Sequence, residues 1–245
     1  MIVYMPIKRR RKGKIDKRRV KLSQMLKRRM RNMRLVPSKQ MPGFKGHPFG
    51  KQFYTKLRYI EAHTFGAGST ANFASNYKYC LNSLYDPNVS GVGHQPMGFD
   101  NLMSIYEKYT VVGAKITVCF IGDTTVPSVC GLRLVDGNET AVADKKRAIE
   151  NGDSSWRYMT TANGGNNKIV LSRSVNCKKF FGQKAIVGDD KYTLSSAQAP
   201  TDDDKIIAEI WVAPISASDV HGRTLVDVTI EYTAVFTEPK ELTLS

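Results

Sequence analysis

Of the first fifty residues, seventeen are Lys or Arg and a single one, Asp16, is acidic, so this stretch carries a net +16. The rest of the chain holds twenty bases against twenty-one acids, a net −1, which closes to the +15 of the whole. Fifteen of the cations fall between positions 8 and 34: Lys8, Arg9, Arg10, Arg11, Lys12, Lys14, Lys17, Arg18, Arg19, Lys21, Lys27, Arg28, Arg29, Arg31 and Arg34. Fixed positive charge this dense repels itself unless a polyanion accompanies it, and nucleic-acid phosphate is the polyanion that best relieves it. The run from Lys8 to Lys12 alone would serve equally as an address read by an import receptor. The charge continues through Arg34, however, much further than an address requires. No set of residues here resembles a reader of base edges, so binding is expected to be indifferent to sequence.

Other residue types that carry chemistry are present but not assembled. The four cysteines, Cys80, Cys119, Cys130 and Cys177, contain no C-x-x-C pair, and the four histidines, His47, His63, His94 and His221, show no metal-ligand spacing. Glycine-rich phosphate loops of the P-loop or dinucleotide type are absent, and Gly91, Gly93 and Gly98 are not expected between a strand and a helix. Residues 128–131 do not form a nucleophile elbow. The acids Asp202, Asp203 and Asp204 follow Ala199, Pro200 and Thr201, a context that predicts a surface turn rather than a metal or nuclease site. The expectation is a non-enzyme with no cofactor and no metal.

These residues must be positioned by two unlike parts, a basic arm over residues 1–50 and a body over residues 51–245. Within the arm, Asp16 is a candidate N-cap, and Leu22, Leu26, Met30 and Met33 recur at helical spacing, which predicts an amphipathic basic helix over residues 16–35. Pro37, Pro42, Gly43, Gly46, Pro48 and Gly50 then break the helix and form a hinge. Residues 1–7 are too short for a signal peptide, and no run of eighteen apolar residues predicts a membrane segment. A reducing compartment is expected.

The body is long enough to bury a full core, and its pattern alternates. Strands are predicted over residues 52–59, 73–81, 109–121, 129–135, 156–160, 168–177, 206–213 and 224–237. In the third, Val112, Ala114, Ile116, Val118 and Phe120 are expected on one face. In the last, Val226, Val228, Ile230, Tyr232, Ala234 and Phe236 alternate with Asp227, Thr229, Glu231 and Thr233. Residues 140–150 are the single helical reading in the body, an insertion rather than a layer. Eight strands with almost no helix predict an all-β fold, an eight-stranded antiparallel jelly-roll sandwich. An immunoglobulin-type sandwich shares the pattern; the very unequal loops favour the jelly roll.

An Arg-rich arm ahead of a jelly-roll body without catalytic residues resembles the capsid proteins of circoviruses and related viruses with small circular single-stranded DNA genomes. The specific part of the likeness is YDPNVSGVGHQPMGFDNLMSIYEKYTVVGAKITVCF, residues 85–120. There a loop carrying H-Q-P-x-G-x-D leads into a Y-x-x-Y-x-V strand, at His94, Gln95, Pro96, Gly98, Asp100, Tyr106, Tyr109 and Val111. The resemblance implies a T=1 icosahedral shell of sixty identical chains, with the arm inside against a single-stranded DNA genome. It also implies nuclear import receptors and a host cell-surface receptor as partners, and a life in the virion and the host nucleus. The apolar opening of residues 1–7 departs from the relatives that begin almost directly with Arg-rich sequence. From the residues alone, an RNA-virus coat protein of the same layout and a non-capsid nucleic-acid-binding module remain open. A jelly-roll lectin or cupin-type enzyme is disfavoured, since cupins need a histidine cluster.

Overall fold

The structure is a computed structural model that describes residues 48–150 and 153–241. The fifteen basic site residues, the amphipathic helix expected over residues 16–35 and most of the hinge lie outside the described residues.

Among the described residues there are nine strands: β1 (Gln52–Phe65), β2 (Ser75–Cys80), β3 (Tyr106–Gly122), β4 (Ser128–Asp136), β5 (Ser154–Met159), β6 (Lys168–Asn176), β7 (Leu194–Ser195), β8 (Ile206–Pro214) and β9 (Thr224–Pro239). Three short helices accompany them among the described residues, α1 (Phe99–Ile105), α2 (Lys145–Glu150) and α3 (Cys177–Phe180). One sheet runs β1-β9-β3-β6 with the two-residue β7 also on β3, and the other runs β2-β8-β4-β5. Every pairing is antiparallel.

Set β7 aside and the pairing is nested: first strand with eighth, second with seventh, third with sixth, fourth with fifth. That is a long hairpin rolled into two facing sheets, the jelly roll. It also separates the fold from the immunoglobulin-type sandwich with the same alternation. The core lies between the sheets, where β9 contributes Val226, Val228, Ile230, Tyr232, Ala234 and Phe236, all buried, while Asp227 stays exposed. Consecutive connections alternate ends. The four short ones clasp one another at one end, through Gly68 N–H to His221 O at 2.9 Å, Asn72 N–H to Asp219 O at 3.0 Å and Ala162 N–H to Thr124 O at 2.8 Å. His221 is buried there; its Nδ1 donates to the Gly222 carbonyl at 3.0 Å and its Nε2 shares a hydrogen bond with Ser75 Oγ at 2.7 Å.

Four expectations need correction. The first concerns β3, which begins at Tyr106 and shifts register between Val111 and Gly113. The bulge puts Val111, not Val112, into the core. Second, residues 99–105 form α1, so the glycines at 91, 93 and 98 do stand between a strand and a helix. Gly98 is its N-cap, in the left-handed conformation at φ 87°. Third, Cys177 opens α3 rather than closing β6; the Asn176 side chain accepts from Lys179 N and caps the turn.

The fourth correction concerns residues 140–150, where only Lys145–Glu150 is helical. The preceding backbone is bonded elsewhere. Arg133 on β4 donates to Thr140 O at 2.6 Å, and Glu209 on β8 accepts from Val142 N at 2.9 Å. Asp144 then caps α2 by accepting from Arg147 N at 2.9 Å. This segment lies on the outer face of the second sheet, where Val142 and Ala148 pack with Val129, Trp211 and Ala213 in a small separate core. It is a third layer over part of the sandwich.

Candidate functional site

The sequence-flagged segment at residues 85–120 is described throughout, and it meets β1 and β2 at one corner of the sandwich. The alternation of β1 continues past Tyr59, so Glu61 and His63 follow it on the inward face, opposite Tyr77 and Tyr79 of β2. A carboxylate on that face requires donors. Tyr59 Oη donates to Glu61 at 2.6 Å, and Asn88 Nδ2 lies 2.8 and 3.1 Å from its two oxygens.

Asn88 is the hub. Its side-chain nitrogen also donates to Tyr77 Oη at 2.9 Å, and its oxygen accepts from Ser90 N at 3.0 Å and Ser90 Oγ at 2.7 Å. Tyr77 Oη and Ser90 Oγ, 3.0 Å apart, close the ring. Both amide hydrogens and the carbonyl oxygen of a fully buried side chain are thereby used. Its backbone forms a bridge with Tyr79, so the loop adds a short strand to the edge of β2.

From there the loop crosses to β1. Gly91 turns it with φ 73°, and Gly93 passes where a Cβ would stand 2.7 Å from both Asn88 Cβ and Tyr59 Oη. The next residue, His94, lays its ring on Tyr59 with centroids 4.6 Å apart. Its Nε2 is 2.9 Å from Ile60 O and its Nδ1 2.8 Å from Gln95 O. Those two carbonyl contacts, Gln95 first, raise the affinity of the ring for its second proton. His63, packed on Tyr77 at 4.1 Å between centroids, shifts the other way because burial disfavours its charge. Beyond the histidine a polar cleft of about 540 Å³ opens, lined by Tyr85, Asp86, Gln95, Met97, Asp100 and Asn101 among others. Burial raises the Asp86 carboxyl, with Lys205 opposing.

The polar groups of the corner are engaged with one another. Burial, then Glu61, pushes the Tyr59 hydroxyl far above its ordinary value. Thiols are equally quiet: burial drives Cys80 up to about 11, and Cys130 and Cys177 up to about 12. The acidic cluster forms a single 3-10 turn, Asp202–Asp204. Its carboxylates are engaged separately, Asp202 by Lys205, Asp203 by Asn138, and Asp204 by Lys191 and Thr201. Among the described residues no group of three His, Cys, Asp or Glu is placed to hold a metal ion.

Sequence reasoning passed over Glu61, Asn88 and the buried pair Arg133–Glu209. Glu61 was legible as a charge on the apolar side of a strand whose alternation runs on. Arg133 and Glu209 were legible as lone charges inside two apolar strands. They are directly cross-strand and 2.6 Å apart. Asn88 left no mark in the pattern, because its role comes from a loop meeting two strands.

No family model matches the sequence, and a search of the curated proteins returns no match. Among solved structures the chain is similar to one of tobacco necrosis virus, at 14% identity and a TM-score of 0.45 over 79% of this chain and 85% of that one. It is similar also to the decameric BFDV capsid protein, at 8% identity and a TM-score of 0.41 over 76% of this chain and 99% of that one. A third is the semi-empty virus-like particle of the giant freshwater prawn Macrobrachium rosenbergii nodavirus, at 8% and 0.45 over 81% and 100%. The assignment of the jelly roll rests on the nested strand pairing.

Proposed function

We propose that this chain is a structural coat protein: the body, residues 51–245, assembles with copies of itself into a closed shell, and the arm, residues 1–50, condenses single-stranded DNA inside it. The observation that carries this reading is the segregation of charge, +16 on the first fifty residues and −1 on the rest. Nearly neutral bodies approach one another without long-range repulsion, while the arms need phosphate. About sixty copies would bring together roughly a thousand cations, enough for the phosphates of about a kilobase of single strand, with small counterions covering any remainder. The T=1 shell, the DNA genome and the arm's use as a nuclear import address rest on the sequence resemblance at residues 85–120. The chain works as a building part of the virion and turns over no substrate.

Deleting residues 1–36 tests the division directly. The truncated chain is expected to keep its β circular-dichroism spectrum and to lose protection of single-stranded DNA from nuclease. A truncated chain that still protects full-length nucleic acid would remove the arm from the mechanism. Digesting the particles' content with DNase and with RNase separates this reading from an RNA-virus coat of the same layout. A native mass of one or two chains in moderate salt would instead favour a non-capsid binding module.

A further inference from the structure

Midway along residues 90–98, between the Asn88 hub and α1, the loop is held to the edge of β1 by one imidazole. Both ring nitrogens of His94 face carbonyl oxygens, Gln95 O at 2.8 Å and Ile60 O at 2.9 Å. A carbonyl only accepts, so each nitrogen must donate, and only the imidazolium carries two N–H groups. A neutral ring would aim a lone pair at one of the two oxygens. The surroundings favour the cation: the ring lies on the face of Tyr59, and Glu61 is close on the same strand. Asp86, ahead of the Asn88 hub, and Asp100 in the first turn of α1 line the cleft beside it, with Lys205, ahead of β8, acting on Asp86. On the other side of Glu61, His63 packs against Tyr77 of β2. Ile60 belongs to β1, the fourteen-residue edge strand of its sheet.

We propose that His94 is a protonation-dependent latch: as the imidazolium it pins the middle of residues 90–98 across the edge of β1 and shapes the neighbouring cleft, and as the neutral ring it lets the middle of the loop go. Gly91 and Gly98, both at positive φ, flank the segment as its pivots, while Asn88 anchors its near end. Released, the loop leaves the Ile60 carbonyl of an edge strand free to accept from another chain. Proton binding favours the closed form, so closure is complete in acid and is lost as pH rises through the midpoint of His94 in the folded chain.

Two measurements on the full chain test the latch. Hydrogen–deuterium exchange at the histidine C2 position, followed by mass spectrometry from pH 5 to 9, gives a midpoint for each histidine. His94 is expected above a free imidazole, roughly 6.5, and His63 below it. Amide exchange across residues 90–98, corrected for its intrinsic pH dependence, should then rise with pH by about tenfold for each unit by which His94 exceeds that value. In His94→Gln the same segment should exchange fast at every pH. A His94 midpoint at or below that of a free imidazole overturns the latch. So does a His94→Gln chain that keeps the wild-type pH profile.

Discussion

At the scale of single residues, the outer face of β4 carries two of the tightest requirements in the fold. Gly131 stands directly across from Trp211, and a Cβ there would lie 2.2 Å from the indole. The ring has little room to yield, because its Nε1–H donates to Ser154 Oγ at 3.2 Å and its faces are buried. Gly131→Ala should therefore destabilise the body by about 1–3 kcal/mol through overpacking, read as a lower urea midpoint with an unchanged slope. Two residues on, Arg133 is 3% exposed and Glu209 is fully buried, and between them they bond Thr140 O and Val142 N of the covering segment. Removing Glu209 leaves the buried Arg133 with the more exposed Glu139, 3.7 Å away, as its acid, and Glu209→Ala should cost about 3–5 kcal/mol. The double change Arg133→Met with Glu209→Leu leaves no buried charge and should recover much of that loss. A single substitution within about 1 kcal/mol of wild type would mean that the pair is hydrated rather than buried.

At the scale of elements, period-2 alternation marked β1, β6 and β9, because a strand with one face on the core and one in water writes its geometry into the chain, whereas β4 and β8, covered on both faces, read as apolar runs. Thus β9 could be assigned almost residue by residue from Val226 to Phe236. What escaped is what breaks or outruns that period. The bulge at Val111–Gly113 changes which valine is inside, and β7 is only two residues long. Helix α1 is seven residues, with Phe99 and Met103 alone fully inward. Residues 140–144 have helical composition, yet their backbone answers to three side chains from other strands, Asn76, Arg133 and Glu209. The corner site was half legible: the H-Q-P-x-G-x-D segment singled out the loop, while the carbonyls that hold His94 and the role of Asn88 exist only once β1, β2 and the loop converge. Gly98 illustrates the same dependence. Its φ of 87° is in the left-handed region, and the space around it is open, with only Leu57 Cδ2 near, at 3.9 Å. Gly98→Ala should cost about 1–2 kcal/mol through the backbone alone, seen as a lower thermal midpoint and as faster amide exchange in α1.

At the scale of the whole molecule, the chain combines a body built from hydrophobic alternation with an arm whose sequence is governed by charge. If the arm works by displacing counterions, the logarithm of its affinity for single-stranded DNA should fall linearly with the logarithm of salt concentration. The slope should be on the order of −0.7 for each cation engaged and nearly the same for any base composition. Substituting Arg9, Arg10 and Arg11 together with Gln should flatten that slope, as measured by fluorescence anisotropy, without changing the urea midpoint of the body. The central division is tested most directly by light scattering and electron microscopy of the purified full-length chain in moderate salt, with nuclease applied before the nucleic acid is extracted. The account predicts megadalton shells that protect single-stranded DNA. A small species that neither assembles nor binds polyphosphate in any buffer would contradict it.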